Sequence, residues 1–480
     1  MNDGMQVEPT IGLEIHVQLN TSSKLFCRDA NVYGAPPNTH VCPVCLGFPG
    51  ALPVVNERAI ELGIRAALAL GSDVLERSGF ARKNYFYPDL PKGYQITQFE
   101  EPLARGGELG VHTSGSSTTI RIRGLHLEED SGKLLHDRLD AATAIDFNRA
   151  GVPLLEIVTE PDLRSAAEAR SFLKTLKQLL EYLDVSACNM EQGHLRVDAN
   201  ISVRQVGVDR LGSRTEIKNL NSFGNVERAL SFEIARQEAI LAAGDVVNAE
   251  TLLWDESARG TRGIRSKEQA ADYRYFPEPD LPPLIVSGTT IDTMRENLPE
   301  LPWVRHARFQ RDYDLPATAA SLLTRTRDTA DYYEEVVERG AAPRTAANWM
   351  TGDLLAAVNA CKSSFATFAV RPVEAAALLR MLDAGDIRRP LARTILSRMI
   401  ETGRSAAELT EDTGLLDSLD EDATKELIDE ILQTNPDAVR RYRAGEVRLE
   451  GHFVGQVMRR SGGRADPELV RTRLRRKLSE

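Results

Sequence analysis

The sequence lacks the glycine-rich signatures with which many proteins bind nucleotides. No G-x-G occurs in the 480 residues, which excludes the dinucleotide-binding fingerprint, and G-x-x-x-x-G-K-[ST] is absent as well. The G-x-S-x-G elbow of serine hydrolases is also missing. If the protein handles ATP, it therefore does so without a P-loop.

Long apolar runs and cysteine are scarce. No apolar run approaches the roughly 18 residues of a membrane span, and the mean hydropathy is −0.30. The first ten residues have neither the basic nor the apolar region of a signal peptide. Five cysteines do not suggest a disulfide framework and are typical of a reducing compartment. We therefore expect a cytoplasmic protein.

Composition and charge indicate a globular protein of several domains. The chain is 42% hydrophobic and 27% charged, which does not fit disorder. Its net charge of −11 argues at first against a nucleic-acid partner, because affinity for phosphates comes from basic surface. Residues 440–480, however, carry twelve Lys and Arg against five Asp and Glu, a net charge of +7, and the preceding residues carry −18. The average therefore does not exclude nucleic acid.

The hydrophobic pattern predicts an α+β protein of three domains. Residues 1–290 read as mostly antiparallel strands, and the segments 11–19 and 196–204 alternate cleanly between apolar and polar residues. Helical spacing interrupts the strands at 57–70 and 165–183. The unordered succession of strands and helices favours α+β over a doubly wound sheet.

A proline-rich run at 276–286 closes this first part of the chain. Beyond it, the pattern is that of consecutive amphipathic helices. We predict a helical domain over 291–400 and a compact helical tail domain over 401–480. The tail domain carries the basic surplus described above.

Carboxylates lie on several of the predicted strands. Glu14 and His16 share one face of a strand, and Glu156 lies inside the apolar segment 152–158. A carboxylate within an apolar strand must be paired, protonated or bound to a metal. Oxygen ligands with one imidazole suit Mg²⁺ or Mn²⁺, although each residue alone is more often solvated or structural. Further charged side chains on predicted strands or in the segment 126–136 are Glu128, Glu129, Asp130, Asp198, Glu216 and Lys218.

The stretch 81–99 interleaves basic and aromatic residues, among them Lys83, Tyr85 and Tyr87, around turn-forming prolines. Such a pattern fits contact with a nucleotide or an RNA end. It fits equally an aromatic hairpin packed against the core.

Three of the cysteines form the pattern C-x14-C-P-x-C at Cys27, Cys42 and Cys45. C-x2-C is typical of half a zinc site, but a structural site needs four ligands. Asp29 or His40 would have to complete it.

Eight long motifs occur together and in one order: IGLEIHVQLNTSSKLFC, NTHVCPVCLGFPGALPVVN, RKNYFYPDLPKGYQITQ, HLEEDSGKLLH, DFNRAGVPLLEIVTEPD, RVDANISVR, TEIKNLNSF and DYRYFPEPDLPPL. In these motifs the chain closely resembles, over essentially its whole length, the GatB/GatE family of tRNA-dependent amidotransferase subunits. The resemblance implies an antiparallel-sheet cradle similar to glutamine synthetase, followed by a helical domain and a small helical tail of the YqeY type.

The resemblance also implies a function. The family amidates Glu misacylated onto tRNA(Gln), and often Asp misacylated onto tRNA(Asn). Its B subunit uses ATP and Mg²⁺ to activate the side-chain carboxylate, and ammonia from the amidase (A) subunit displaces the phosphate. The small (C) subunit holds the other two together. A tRNA-binding scaffold without catalysis and a free-standing amide ligase are the alternatives. The archaeal-type relative GatE carries a large inserted domain, for which this sequence has no room.

Carried over by position, the resemblance implies roles for named residues. The metal ligands would be Glu14, His16, Glu129, Glu156 and Glu216. The catalytic residues would be Glu129, Glu156 and Lys83. Residues near substrate or nucleotide would be Asn148, Arg149, Tyr85, Tyr87, Asp198 and Lys218. The residues in contact with tRNA would be Arg473, Arg475 and Arg476.

Two of these assignments stay open. Strict alternation would place Glu128, not Glu129, on the face of His126 and Asp130. Members of the family with an intact zinc site usually carry C-x-C where this sequence has Cys27-Arg28-Asp29. The zinc site is therefore expected to be incomplete, unless an aspartate oxygen serves as the fourth ligand.

Overall fold

A computed structural model describes residues 6–113, 116–135, 142–266, 272–412, 421–461, 465 and 467–479. The chain divides into two compact units, Met1–Leu301 and Pro302–Glu480. Within the described ranges, no helix is both long enough and apolar enough to span a membrane.

The first unit is built from strands with a few helices between them. In chain order these are β1 (Val7–Gln18), α1 (Glu57–Ala69), β2 (Asp73–Val74), β3 (Arg77–Ser78), β4 (Ala81–Asn84), β5 (Tyr94–Thr97), β6 (Ala104–Arg105), β7 (Glu108–Thr113), β8 (Ser116–Glu129), β9 (Lys133–Leu135), β10 (Ala144–Asp146), β11 (Pro153–Thr159), α2 (Ala166–Tyr182), β12 (Leu195–Gln205), β13 (Thr215–Lys218), α3 (Phe223–Ala242), β14 (Glu250–Asp255), β15 (Gly260–Ser266), β16 (Phe276–Pro277), β17 (Leu284–Ile285) and α4 (Gly288–Glu296).

One large sheet dominates this unit. Its strands lie in the order β15-β14-β13-β12-β1-β11-β8-β6-β2, and β7 pairs with β8. The pairs are antiparallel except for β13 and β14. Within the described residues, smaller sheets pair β16 with β4 and β5, β9 with β10, and β3 with β17. The predicted α+β class with a largely antiparallel sheet is therefore confirmed.

The long central strands bury one face and leave the other polar. On β1, Ile11, Leu13, Ile15 and Val17 belong to the apolar core, as the alternation in the sequence predicts. Helix α1 comes close to the sheet at Gly63, where an added Cβ would lie 2.6 Å from Leu103 Cδ2. The polar face of the same strands is free to carry a site.

Side-chain caps fix where the helices of this unit begin. The Asn56 side chain accepts a hydrogen bond from the backbone N–H of Arg58 at the start of α1, and Ser165 accepts one from Glu168 at the start of α2. Both helices agree with the predicted segments to within one residue. Helix α3, which contributes Val226, Ala229 and Leu230 to the core, is not predicted from the sequence.

The second unit is helical throughout its described residues. It contains α5 (Pro302–Asp312), α6 (Ala317–Leu323), α7 (Arg327–Glu338), α8 (Pro343–Trp349), a π-helical turn (Met350–Leu354), α9 (Leu355–Ala360), α10 (Pro372–Ala384), α11 (Arg389–Thr402), α12 (Ala406–Asp412), α13 (Glu421–Thr434), α14 (Pro436–Arg443), α15 (Leu449–Arg460) and α16 (Pro467–Ser479). One apolar core gathers side chains between Phe309 and Leu409, and another gathers side chains between Ile428 and Leu478. The predicted change from strands to helices is confirmed, and the exact domain limits stay a prediction.

Candidate active site

Four neighbouring strands place a row of polar residues on the polar face of the large sheet. In the strand register, His16 on β1 lies opposite Glu156 on β11 and Arg196 on β12. Glu156 in turn lies opposite His126 on β8. Directly paired residues point to the same face, so these side chains form one row across the sheet.

The side chains of this row and their neighbours converge on one another. His16 Nε2 lies 3.7 Å from Glu14 Oε1, 3.4 Å from Glu128 Oε1 and 4.0 Å from Glu156 Oε1. His126 Nδ1 lies 3.6 Å from Glu156 Oε2. Ligand atoms of Glu14, His16 and Glu156 all lie within 4.8 Å of one another. The structure thus brings together three of the five ligands that the resemblance implies.

The electrostatics of this cluster favour the binding of a cation. Burial, together with repulsion from Glu128 and Glu14, raises the pKa of Glu156 to about 9, and burial raises the pKa of Glu128 to about 7. Burial lowers the pKa of His16 and of His126 to about 4, so both imidazoles are neutral and can donate a lone pair. A divalent cation would stabilise the ionised carboxylates, and the donor set fits one.

Glu129 lies apart from this cluster. It is buried, its Oε1 accepts a hydrogen bond from the backbone N–H of Ile96 at 2.9 Å, and it forms an ion pair with Lys92. With Cys27 and Cys45, this pair lines a cavity of about 180 Å³. Successive residues of a strand point to opposite faces. The structure thus places Glu129 away from this cluster and puts Glu128 beside His16, while the role of Glu129 as a metal ligand stays a prediction.

The fifth implied ligand, Glu216 on β13, shares a lysine with the neighbouring strand. Lys218 Nζ lies 2.8 Å from Glu216 Oε1 and 2.6 Å from Asp198 Oδ2. Burial raises the pKa of Asp198, and Lys218 partly offsets this rise. Glu14 pairs with Asp198 in the register, so this charged group adjoins the Glu14 side of the cluster.

Lys83 comes to the site from the β4–β5 hairpin. Its Nζ lies 5.0 Å from the centre of the Tyr273 ring. Burial lowers the pKa of Lys83, but Tyr275 and Glu128 outweigh it and the pKa is raised overall. Lys83 is therefore charged, and its field reaches the carboxylates of the cluster.

The rest of the β4–β5 hairpin matches the second interpretation of the stretch 81–99, an aromatic hairpin packed against the core. Arg82 lies 4.2 Å from the centre of the Tyr94 ring and 2.7 Å from the buried carboxylate of Glu278. Tyr85 packs edge-on against Tyr273, and burial raises its pKa to about 12. Tyr87 is exposed, so that it can contact a ligand.

Asn148 and Arg149 are occupied by the protein itself. Asn148 donates to the backbone carbonyl of Pro36 and accepts from the N–H of His40. Arg149 donates to the carbonyls of Ser131 and Gly132. These contacts hold loops in place, and the structure does not bring either side chain into the His16 cluster.

Sequence reasoning missed an ion pair on the polar face. Arg196 lies 2.8 Å from Asp130 Oδ1, and the Gln18 side chain donates to the other oxygen of Asp130 at 3.0 Å. Asp130 is buried, and Arg149 and Arg196 nevertheless lower its pKa. The sequence carried a signal for this ion pair, because the alternation along β12 places Arg196 on the same polar face as Asp198.

The cysteines gather at a separate place. Donor atoms of Cys27, Asp29, Cys42 and Cys45 all lie within 4.8 Å of one another. A hydrogen bond from Cys27, aided by the ammonium of Lys24, lowers the pKa of Cys45 to about 6. Three sulfurs and one carboxylate make a donor set that fits zinc. His40, the other candidate for the fourth ligand, instead offers its backbone carbonyl to Lys24 Nζ at 2.7 Å.

The three arginines predicted to contact tRNA lie on α16. Arg473 pairs with Glu421 at 2.6 Å and Arg475 with Glu450 at 3.0 Å, whereas Arg476 is exposed. At least two of the three are thus engaged by acidic side chains of the same unit. The contacts of Arg473 and Arg475 are those of a salt-bridged helix face.

Comparison with known sequences adds to this geometry. The family model described as GatB/GatE catalytic domain matches residues 9–292, and the one described as GatB domain matches residues 331–478. The chain is 47% identical over 478 residues to a protein of Moorella thermoacetica and 47% identical over 474 residues to one of Chlorobium phaeobacteroides. Both alignments cover 99% of this chain and 100% of the relative.

A third relative, from Brevibacillus brevis, is 43% identical over 463 residues, which cover 96% of this chain and 97% of the relative. All three proteins are named as the B subunit of an aspartyl/glutamyl-tRNA(Asn/Gln) amidotransferase. The similarity extends over nearly the full length of each.

Proposed function

This chain belongs to the GatB/GatE family, and we propose that it is the B subunit of an aspartyl/glutamyl-tRNA(Asn/Gln) amidotransferase. It converts Glu-tRNA(Gln), and Asp-tRNA(Asn), into the corresponding amide with ATP, together with the amidase (A) and small (C) subunits. The observation that carries this proposal is the cluster of Glu14, His16, Glu128 and Glu156 in a chain that matches amidotransferase B subunits over 99% of its length.

The proposed reaction has two steps that balance. A side-chain carboxylate oxygen of the misacylated residue attacks the γ-phosphorus of ATP, the bond to the β,γ-bridging oxygen breaks, and ADP leaves. Ammonia released by the amidase (A) subunit then attacks the carbonyl carbon of the acyl phosphate. Phosphate departs with the carboxylate oxygen, and the nitrogen loses a proton to give the amide.

The polar face supplies what the first step needs. Glu14, His16, Glu128 and Glu156 would hold a divalent cation, which when bound neutralises phosphate charge and lowers the repulsion between the two reacting anions. The raised pKa values of Glu128 and Glu156 support this role, because a bound cation would stabilise the ionised form of both carboxylates.

Cationic side chains of the chain itself would orient the anionic reactants. Lys83 carries its charge toward these carboxylates, and Arg196, fixed by Asp130 at 2.8 Å, adjoins His16 in the register. Both can bind a phosphate or the substrate carboxylate in a site that positions them before reaction. Exposed Tyr87 offers a ring on which a base can stack.

We also propose that Cys27, Asp29, Cys42 and Cys45 hold a structural zinc ion. The supporting observation is that a carboxylate oxygen of Asp29 lies within 4.8 Å of the sulfurs of Cys27, Cys42 and Cys45, so that it can serve as the fourth ligand where the sequence lacks the second thiol of a C-x-C pair. Such an ion would fix the loop from Cys27 to Cys45, whose carbonyl at His40 is bound by the buried Lys24.

The finer architecture is part of the proposal. We infer that residues 1–290 form a cradle of the glutamine synthetase type, that 291–400 form a helical domain, and that 401–480 form a YqeY-like tail that contacts tRNA. The two apolar cores of the second unit support the division between helical domain and tail.

Reconstitution tests the function and separates the alternatives. The chain is mixed with the A and C subunits, glutamine, Mg-ATP and Glu-tRNA(Gln), and formation of Gln-tRNA(Gln) is followed. We expect turnover that is lost in His16→Ala while tRNA binding is kept, and that is unaffected in the exposed control His112→Ala. Full turnover in His16→Ala would favour a scaffold role. Amidation of free glutamate in place of Glu-tRNA would favour a free-standing ligase.

A further inference from the structure

A fully buried lysine lies beside the cysteine cluster of Cys27, Cys42 and Cys45. Lys24 is 0% exposed, and its Nζ contacts two backbone carbonyls and, at 3.6 Å, the sulfur of Cys45. Of these three contacts only the sulfur can carry a negative charge. The ammonium of Lys24 therefore stabilises negative charge on that sulfur, and a sulfur in such surroundings is a good nucleophile.

A small cavity gives access to two of the sulfurs. Cys27 and Cys45 both line the cavity of about 180 Å³, and so does Phe48, which is 55% exposed. A water molecule occupies roughly 30 Å³, so a molecule slightly larger, such as hydrogen peroxide, can enter.

The two sulfurs that line this cavity also contact each other. The thiol of Cys27 donates a hydrogen bond to the sulfur of Cys45, and both belong to the set whose donor atoms lie within 4.8 Å of one another. Cysteines whose side chains already point at each other can form a disulfide with little movement of the backbone. Access, contact and a nearby cation thus coincide at one pair.

We propose that Cys45 and Cys27 form a site of reversible oxidation, at which a peroxide joins their sulfurs in a disulfide and the zinc ion of the set is released. The inference goes beyond the amidation reaction. The release of zinc rests on the zinc set proposed above, whereas the disulfide needs only the two cysteines.

The oxidation consumes one peroxide for each disulfide. The Cys45 thiolate attacks one peroxide oxygen, the O–O bond breaks, and the hydroxide that leaves takes a proton from solvent, which gives a sulfenic acid and water. The sulfur of Cys27 then attacks the sulfur of Cys45, and the S–O bond breaks. The second hydroxide becomes water with the proton of the Cys27 thiol, or with one from solvent where Cys27 was bound to zinc. The two sulfurs lose two electrons in total, and the peroxide takes them up.

Oxidation at this site should also slow amidation. An added Cβ at Gly151 would lie 3.4 Å from Cys45 Cβ, so the backbone that leads into β11 packs directly against Cys45. Strand β11 carries Glu156 of the proposed cation site. A disulfide that moves Cys45 and removes the zinc ion therefore disturbs the segment from which this strand starts.

Peptide mapping of the full chain tests the site directly. The chain is treated with one equivalent of hydrogen peroxide, free thiols are blocked with N-ethylmaleimide, peptides are mapped without reduction, and a colorimetric chelator records released zinc. We expect a Cys27–Cys45 disulfide, one zinc released for each disulfide, and recovery of both thiols with dithiothreitol. A disulfide from Cys45 to Cys42 or to Cys361, or thiols that all stay free, would overturn the proposal. A Cys27–Cys45 disulfide in a chain that holds no zinc would support the oxidation site and contradict the zinc ion alone.

Variants separate the reactive pair from the other thiols. Cys45→Ser should form no disulfide within the chain, whereas the control Cys361→Ser, at an exposed cysteine outside the set, should form it at the wild-type rate. Lys24→Met should slow disulfide formation severalfold, and an unchanged rate would contradict the part assigned to Lys24. The wild-type map does not depend on the folding of any variant.

Activity is then compared before and after oxidation. The oxidised chain, freed of peroxide and assembled with the A and C subunits, should form Gln-tRNA(Gln) more slowly than the reduced chain and should regain the rate with dithiothreitol. Equal rates would contradict the effect on amidation. A reduced complex without activity would instead contradict the proposed function.

Discussion

Glu156 Oε1 lies 4.0 Å from His16 Nε2, directly across the β1–β11 strand pair on the polar face of the sheet. Burial raises the pKa of the Glu156 carboxyl group and lowers the pKa of the His16 imidazole. Both shifts disfavour the charged form of the side chain. The pair is therefore suited to bind a cation, and we expect the activity of the site to depend on that cation.

Replacing Glu156 by glutamine should abolish amidation without unfolding the protein. Gln cannot supply an anionic ligand, so cation affinity and amide formation should fall together, the latter by at least about a hundredfold. Gln-tRNA(Gln) formation and thermal unfolding of the same preparations give the two readings. Glu108→Gln, at an exposed position of β7, is the matched control. Amidation at wild-type rate in Glu156→Gln would refute its role.

The cation-free protein should become less stable as the pH rises. Glu156 has a folded pKa of about 9, above its ordinary value of 4.5, so the folded state holds a proton that the unfolded state has lost. The stabilisation that this proton confers is present below about pH 4.5 and is lost as the pH rises toward about 9.

Melting temperatures measured in chelator between pH 6 and pH 9 check this expectation. The decline should be smaller in Glu156→Gln and should be reversed by saturating Mn²⁺. A decline of the same size in wild type and variant would contradict the assignment to Glu156.

Lys92 and Glu129 should act as a structural pair. Both side chains are buried, so Lys92→Met should leave an unpaired carboxylate and destabilise the fold by roughly 3–5 kcal/mol. The double variant Lys92→Met/Glu129→Leu should recover a large part of that loss in chemical denaturation. Glu129→Gln should change Mn²⁺ affinity less than Glu128→Gln does, and the reverse order would restore Glu129 as a ligand.

Metal analysis should find one zinc per chain. Cys45→Ser should lose the metal and Asp29→Asn should release it faster to a chelator, because both remove a donor of the four-membered set. Cys361→Ser, at an exposed cysteine outside that set, should keep its zinc. Wild-type protein prepared without chelator but free of zinc would contradict the proposed site.

The tail arginines should contribute to tRNA affinity through charge. Changing Arg473, Arg475 and Arg476 to Gln should weaken binding of tRNA and flatten its salt dependence by about one unit of slope for each phosphate that is no longer bound. Arg473 and Arg475 already pair with Glu421 and Glu450, so the loss of either one alone should weaken tRNA binding only a little. The triple change should weaken tRNA binding more than any single change does. An unaltered slope, as expected for the control Arg58→Gln on α1, would refute the proposed interaction.

Alternation along the strands predicted much of the site. The period of two residues identified the faces of β1 and β12, and with them Glu14, His16 and Asp198. The alternation also placed Glu128 on the polar face, whereas the positional resemblance implied its neighbour Glu129 as the metal ligand. Where a strand is long and half-buried, local pattern determines which side chains share a face.

Contacts between distant parts of the chain were beyond such reasoning. The pairing of β1 with β11 and of β11 with β8 decides that Glu156 meets both His16 and His126. Nothing in the spacing shows that Asn148 serves the loop at Pro36. Nor does it show that Asp29 joins the cysteines, since tertiary packing brings these groups together.

Isotope transfer from the substrate carboxylate tests the central claim most directly. Glu-tRNA(Gln) carrying ¹⁸O in both side-chain carboxylate oxygens is converted by the complex of this chain with the A and C subunits, and the released phosphate is examined by mass spectrometry. Activation as an acyl phosphate predicts one ¹⁸O in phosphate for each amide formed. Amide formation accompanied by unlabelled phosphate would contradict it.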